Sequence, residues 1–395
     1  MTPSELRASL SLASIFGLRL FGMFVILPVF ALWAQGRPGW TLTLVGVALG
    51  AYGLTQGLLQ LPFGWLSDRR GRKPMMYLGL ACFAAGSFLC ALADAPWLMI
   101  AGRTLQGAGA ISGVAIAMAA DLTRESERSK AMAIIGSTIG GVFALSFVVS
   151  PLLEQWIGVH GIFAMTGVLA LGAIAVVRWI VPDVTPSPTL PQGGGRTTSL
   201  ATLLRDPELA RLNVGIFVLH AVLMAIFVVV PVALVGAGLP ATHHAWAFLG
   251  AVGAGFLLAL PAFIGPVARL ERSVFLVAVA LVAIAIAVLG FALSSLAGIV
   301  AALVIFFAGF NVLEAKLPAL VSRAAPRGAT GSATGVYSSV QFLGTFAGGA
   351  AGGAIAQHAG FVAVLGACLV ATMAWLAVAW KMDDYVPAAS AVTRN

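Results

Sequence analysis

Along this chain the apolar positions gather into long runs, and the short stretches between them hold nearly all the charge. A run of about 20 apolar residues is enough to cross the hydrocarbon core of a bilayer as a helix. On that measure the sequence predicts twelve spans, near 9 to 34, 43 to 66, 75 to 93, 97 to 120, 129 to 153, 159 to 181, 210 to 236, 243 to 266, 273 to 294, 297 to 321, 331 to 356 and 360 to 381. Between the sixth and seventh lie Pro182, Pro186, Pro188, Pro191 and Gly193-Gly194-Gly195, a composition that reads as a linker. The expected organisation is a six-helix bundle over 1–181, a linker over 182–208, a second six-helix bundle over 209–382 and a short tail over 383–395.

The two halves echo each other. Leu49-Gly50-Ala51-Tyr52-Gly53 with Leu61-Pro62-Phe63 is answered by Leu249-Gly250-Ala251-Val252-Gly253 with Leu260-Pro261-Ala262. Duplicated bundles with a site at their interface suit a protein that exposes one site alternately to two sides of a membrane.

Composition agrees with a polytopic helical membrane protein: 60% of residues are hydrophobic, 9% are charged, and the mean hydropathy is +1.01. Soluble domains carry about 25% charge. The formal charge of +8 does not point to nucleic acid, because the Lys and Arg residues are scattered through loops on one predicted side. Of the 22, those elsewhere are Arg19, Arg37, Arg103 and Lys316. By the positive-inside rule both termini are expected in the cytoplasm of a bacterial inner-membrane protein. Cys82, Cys90 and Cys368 fall inside apolar runs, and no disulfide is expected.

The most informative loop is Gly64-Trp65-Leu66-Ser67-Asp68-Arg69-Arg70-Gly71-Arg72-Lys73, followed by Pro74. It reads as a short basic turn, with Gly64 and Gly71 giving a tight backbone and Pro74 suiting the first turn of the next helix. Its pattern, Gly-x-x-x-Asp-Arg-x-Gly-Arg-Lys between spans two and three, resembles the signature loop of the major facilitator superfamily. The resemblance implies an all-α membrane fold of two pseudo-symmetric six-helix bundles. It also implies a gating cluster of Gly64, Asp68, Arg69, Gly71, Arg72 and Lys73 with Asp121 at the end of span four. In the family the acid at the Asp68 position also meets the start of span eleven, so Asp68 is expected to latch the halves when the cavity opens outward. The second-half counterpart, Gly265 to Arg272, has no acid in the Asp68 place.

One ionisable residue falls in each of spans one, four, seven and ten: Arg19, Arg103, His220 and Glu314. In this superfamily those spans line the central cavity. Ionisable groups at membrane depth are costly and by default mark a pathway. Glu314 can load and release a proton if its surroundings alternate between an apolar wall and a neighbouring Arg19 or His220. A histidine titrates near neutral pH, which makes His220 the companion group. Arg103, followed by Thr104-Leu105-Gln106-Gly107-Ala108-Gly109-Ala110, resembles the family's span-four motif, whose arginine is associated with proton coupling; the plainer reading is an arginine snorkelling from a Gly-rich packing face. Lys316 lies about 200° round the helix from Glu314 and faces elsewhere.

Polar pairs four residues apart, Gln56 with Gln60 and Tyr337 with Gln341, share helix faces. They and Asn311 either contact substrate or bond across helix interfaces. In span five Gly140, Gly141 and Pro151 resemble the bending motif of drug:proton antiporters, with Ser150 in a glycine place. Gly22-Met23-Phe24 to Pro28, Phe310 to Ala315 and Gly335 to Gly344 resemble one branch of those antiporters, a member of which continues into a soluble ferredoxin-like domain; here about a dozen residues follow the last span. Span one has Arg19 and lacks the acid of some multidrug relatives.

The expected function is a proton-coupled transporter, not an enzyme, exporting hydrophobic or amphipathic small molecules by alternating access. Its partners are the substrate, protons and the lipid bilayer. No cofactor, metal or nucleic acid is implied, and a monomer is expected. A lipid or glycolipid flippase, a sugar or metabolite exporter and a non-transporting sensor are the alternatives.

Overall fold

Helices account for nearly all of the computed structural model, which describes residues 1–183, 200–264, 266–326 and 329–382. Span one is two helices, α1 Pro3–Phe24 and α2 Leu27–Ala34, and α3 Leu42–Arg70 and α4 Arg72–Ala91 follow. Span four is also broken, into α5 Pro96–Ala108 and α6 Ser112–Asp121, and α7 runs over Arg128–Trp179. The second half comprises α8 Leu200–Arg205, α9 Pro207–Gly236, α10 His244–Ala259, α11 Glu271–Phe291, α12 Leu296–Ala324 and α13 Thr330–Ala379. Most of the predicted linker, and the tail 383–395, lie outside the described residues. Among the described residues nine helical runs are long and apolar enough to cross a membrane.

Two of those runs are too long for one crossing. A 52-residue helix such as α7 measures ~78 Å at 1.5 Å per residue, against ~30 Å of hydrocarbon. The path breaks at Gly158, with φ 66°, and in α13 at Gly360, with φ 82°. Only glycine enters that region without steric cost. The breaks fall between predicted spans five and six and between eleven and twelve. Gly140, Gly141 and Pro151, by contrast, all keep helical geometry. The departure from helical dihedrals in α7 is at Gly158, where the chain has to turn.

The basic loop is also shorter than read from the sequence. Helix α3 continues through Gly64 to Arg70, and the turn is Gly71 alone, with φ 94°. Arg69 and Arg70 in the last turn suit the negative end of the helix dipole, which favours extending the helix beyond the apolar run. Gly64 is thus a helical residue with open space beside it, not part of a turn.

Small residues set how the halves meet. Gly46, Gly50, Gly53 and Gly57 on α3 face Gly349, Phe346, Phe342 and Ser339 on α13 so closely that an added Cβ would strike backbone carbonyls. On another side of the same α13 limb, Gly344 and Gly348 press on Phe217 and Ala221 of α9. Close backbone approach of this kind drives helix association in lipid, where apolar burial gives no net attraction. The limb from Thr330 is thereby held between one helix of each half.

A layer of phenylalanines joins the halves beside this seam. Phe143 stacks on Phe310 with centroids 5.1 Å apart, and Phe147 on Phe227 at 4.7 Å. Phe24, Phe248 and Phe307 complete it. On α12 and α9 these rings lie beyond Glu314 and His220 as seen from the Gly71 end. The layer therefore separates those groups from the end that carries the Gly158 and Gly360 turns.

Candidate functional site

Three helices of the second half bring the central polar groups together. His220 sits on α9, Glu314 on α12 and Gln341 on α13. The Gln341 side-chain amide donates to Glu314 Oε1 at 3.2 Å and lies 2.9 Å from His220 Nε2. The carboxylate Oε2 is 3.8 Å from the same imidazole nitrogen. Because an amide N–H only donates, the 2.9 Å contact requires a lone pair on Nε2. A proton arriving at Nε2 would oppose the amide N–H, and the ring would exchange Gln341 for the carboxylate. Glu314 keeps 24% of its side chain exposed against 3% for His220.

Polar atoms without partners surround this triad. Glu314 Oε2, Asn311 Nδ2, Tyr337 OH and Ser339 Oγ are buried and unbonded among the described residues. Each such group costs about 1–3 kcal/mol if nothing ever satisfies it. Asn311 is one turn from Glu314 on α12, and Tyr337 one turn from Gln341 on α13, so those two share the faces that carry the triad, whereas Ser339, two residues from Gln341, is on the side of α13 that meets Gly57 of α3.

The first half supplies a second polar network. Arg19 on α1 donates from Nη1 to Ser112 Oγ at 3.1 Å and from Nη2 to Gln56 Oε1. Gln56 Nε2 in turn donates to Gln60 Oε1 at 2.9 Å. Arg19 is therefore not the neighbour of Glu314 that the sequence suggested; its partners are within its own half. Arg103 does not snorkel. It is 1% exposed, donates to Gln106 Oε1 at 2.8 Å and to the Ala48 carbonyl, and its guanidinium lies over the Tyr52 ring. Gln106 continues to Ser87 Oγ at 2.7 Å.

At the Gly71 end the expected charge cluster forms around Arg72. Its guanidinium reaches Asp68 Oδ1 at 2.5 Å, Asp121 Oδ2 at 2.9 Å and Ser67 Oγ at 2.7 Å. Arg69 stacks over Trp65 at 3.9 Å. Lys73 pairs with Asp183 at 2.6 Å and holds that carboxyl below the usual carboxylate range. Asp68 makes no contact with the start of α13 among the described residues, and a Cβ at Gly331 would meet nothing within 4 Å. The second half has an analogous tie of reversed polarity: Glu271 opens α11 and pairs at 2.9 Å with Arg323 at the end of α12. With Gly64 matched to Gly265, that acid sits two residues later than the Asp68 register. Lys316 points away from the triad toward Phe263.

Span four carries a feature the sequence did not announce. Helix α5 stops at Ala108 and α6 starts at Ser112, with Ile111 N–H bonded to the Gly109 carbonyl at 2.7 Å. Gly109 there packs against the backbone of Gly79, an approach that no larger residue permits. The break places Ser112 at the head of α6, beside Arg19 and Gln56.

The arrangement is that of a membrane transporter, with two helical halves enclosing polar groups at mid-depth and a charged loop at one end. Residues 12–349 match the Major Facilitator Superfamily, and the chain belongs to that family. Inner membrane transport protein YajR of Escherichia coli is 42% identical over 329 residues, 83% of this chain and 72% of the relative. Multidrug resistance protein MdtH of Yersinia enterocolitica is 35% identical over 133 residues, 31% of this chain and 33% of its own length. The fold is that of a bacterial homologue of the human lysosomal transporter Spinster, solved inward-facing and occupied; the TM-score is 0.74 at 14% identity, with 96% of this chain and 97% of that one covered.

Proposed function

We propose that this protein is a proton-coupled exporter of amphipathic small molecules, with Glu314 as the proton carrier and His220 and Gln341 as its switchable partners. The observation that carries the reading is the Gln341 amide standing between the imidazole and the carboxylate. That contact survives only while His220 Nε2 is unprotonated, so proton arrival and side-chain rearrangement are one event. The orphaned polar atoms of Asn311 and Tyr337 lie on the helix faces a substrate would meet.

In this reading the Gly71 end faces the cytoplasm, because cationic loops stay there, and both termini do too. The bundles over 1–181 and 209–382 rock about the α3–α13–α9 seam. The aromatic layer is then the outer barrier, and rocking that separates Phe143 from Phe310 opens the site outward. Asp68 would release Arg72 in that state and cap the amide end of α13, where unsatisfied N–H groups attract an anion. YajR is named as an inner membrane transport protein and MdtH as a multidrug resistance protein, which agrees with export from this compartment.

The test is flux in vesicles containing the purified protein, with and without an imposed pH gradient. Uphill movement of an amphipathic dye only when the gradient is present supports coupling; identical flux in both conditions describes a facilitator and removes the proton from the mechanism.

A further inference from the structure

The two intramembrane arginines differ from every other described arginine that makes an ion pair. Arg72, Arg124, Arg211 and Arg323 all sit at helix ends beside carboxylates, and Arg37 lies within 3.8 Å of Asp94. Arg19 and Arg103 are 2% and 1% exposed, and among the described residues neither has a carboxylate within ion-pair distance. Their partners are neutral amides, a hydroxyl and a carbonyl. Such groups satisfy N–H donors without balancing the charge. Both guanidinium groups also lie over one ring, Tyr52, at 5.7 and 5.1 Å from its centroid. The first half thus concentrates uncompensated positive charge where a charge is most expensive.

The two arginines are not equivalent. Arg103 is enclosed between α3 and its own helix, with Gln106 and the Ala48 carbonyl as partners. Arg19 stands in a continuous polar strip with Gln56, Ser112 and Gln60, and its Nε is buried without a partner. That strip leads to Gly113, which is half-exposed and lies beside the Gln60 amide. The Tyr52 ring beside the Arg19 guanidinium meets Phe83 and Phe342 edge-on, each with centroids 6.4 Å apart. A guanidinium fork, flanking amide and hydroxyl groups and this aromatic wall form a site with a charged end and an apolar end.

We propose that Arg19 with Gln56 and Ser112 binds the anionic head of the transported molecule, a carboxylate, sulfonate or phosphate, while its apolar body lies against the wall of Tyr52 and Phe342. This deepens the reading of the cleft as a transport pathway and rests on it. It assigns Arg19 to recognition and leaves the proton to Glu314. An anion paired with Arg19 also explains how the arginine is tolerated: the fork matches such heads bidentately, and the site waits for its counter-charge.

Equilibrium binding to the purified protein in phosphatidylcholine nanodiscs, at one pH and with no gradient, tests this without depending on coupling. The probes are anilinonaphthalene sulfonate as the amphipathic anion and ethidium as the amphipathic cation. The wild-type protein should bind the sulfonate more tightly than ethidium, Arg19→Gln should weaken the sulfonate about tenfold or more, and Ser112→Ala should weaken it less. Nanodiscs containing phosphatidylglycerol distinguish the source of the anion. Competition with the sulfonate that disappears in Arg19→Gln identifies a lipid headgroup, and absence of competition identifies a free amphipathic anion; both place an anion on Arg19. Ethidium binding as tight as sulfonate binding in the wild type overturns the proposal, as does unchanged sulfonate affinity in folded Arg19→Gln. If the substitution prevents folding, the wild-type preference decides alone. Failure of pH-driven flux in vesicles would instead remove the coupling and leave this binding result standing.

Discussion

His220 Nε2 and Glu314 Oε2 stand 3.8 Å apart on two different helices, and the amide of Gln341 on a third lies within hydrogen-bond distance of both residues. The separation is too long for a direct hydrogen bond and short enough to become one by rotation of a side chain. The Gln341 amide therefore stands between the two titratable groups.

Removing the amide should uncouple them. Gln341→Leu deprives Glu314 Oε1 and His220 Nε2 of a shared donor, a loss of about 1–3 kcal/mol for each buried group left unsatisfied. The expected result is a purified protein with a lower melting temperature and a displaced pH profile of exchange. An unchanged profile would mean that the bridge plays no part in proton handling.

The Arg72 cluster separates gating from stability. Asp68 is 62% exposed, and an exposed ion pair contributes at most about 1 kcal/mol. Asp68→Asn should therefore leave expression and melting nearly unaltered while abolishing transport, because the proposed mechanism uses the acid to cap α13 in the outward-open conformation. Normal transport by this variant would remove the latch from the mechanism.

The seam between the halves should be intolerant of bulk. A Cβ at Gly349 would lie 2.6 Å from the Gly46 carbonyl and 3.1 Å from Gly50 N, both backbone atoms that cannot swing aside. Gly349→Val should cost about 1–3 kcal/mol. Gly141→Ala, with nothing within 4 Å of the new methyl, should be neutral or stabilising by up to about 1 kcal/mol. Thermal unfolding of the two variants in one detergent checks both, and equal melting temperatures would contradict the close approach.

The Lys73–Asp183 pair gives a pH dependence with a definite sign. The carboxyl is held below its ordinary range by the ammonium, chiefly through their hydrogen bond, so the pair stabilises the folded protein above the unfolded carboxylate range and loses that contribution as pH falls through the folded value. Asp183→Asn should melt below wild type at neutral pH, and the two curves should converge in acid; salt should shrink the gap. A difference that grows on acidification would contradict the assignment.

The sequence was most legible where a residue type has one physical use. Apolar runs located the helices, Gly71 took the positive φ the loop required, and Arg72 found the carboxylates its pattern implied. Position along the predicted spans also put Arg19 and His220 well inside the membrane, about eleven residues from the cytoplasmic helix ends. Counting residues along one helix does not say which neighbour that helix turns toward. Hence Arg19 was expected near Glu314 and instead bonds Gln56 and Ser112, and Gln341 was read as a cavity residue without its bridging position being apparent. The break at Gly109 was hidden for a related reason. Small residues in a run signal close packing, and the same run permits a non-helical turn whose need arises only from the approach of Gly79. Gly140 and Gly141 show the converse, glycines that sit in regular helix with open space around them.

The central claim is tested most directly by Glu314→Gln in proteoliposomes loaded with an amphipathic dye. The amide keeps the size and hydrogen bonding of the side chain and cannot carry a proton. Dye exchange between the two sides at equal pH should persist, and uphill movement driven by a pH gradient should vanish. Gradient-driven accumulation at the wild-type rate would contradict the account and pass the proton to another group, with His220 next in line.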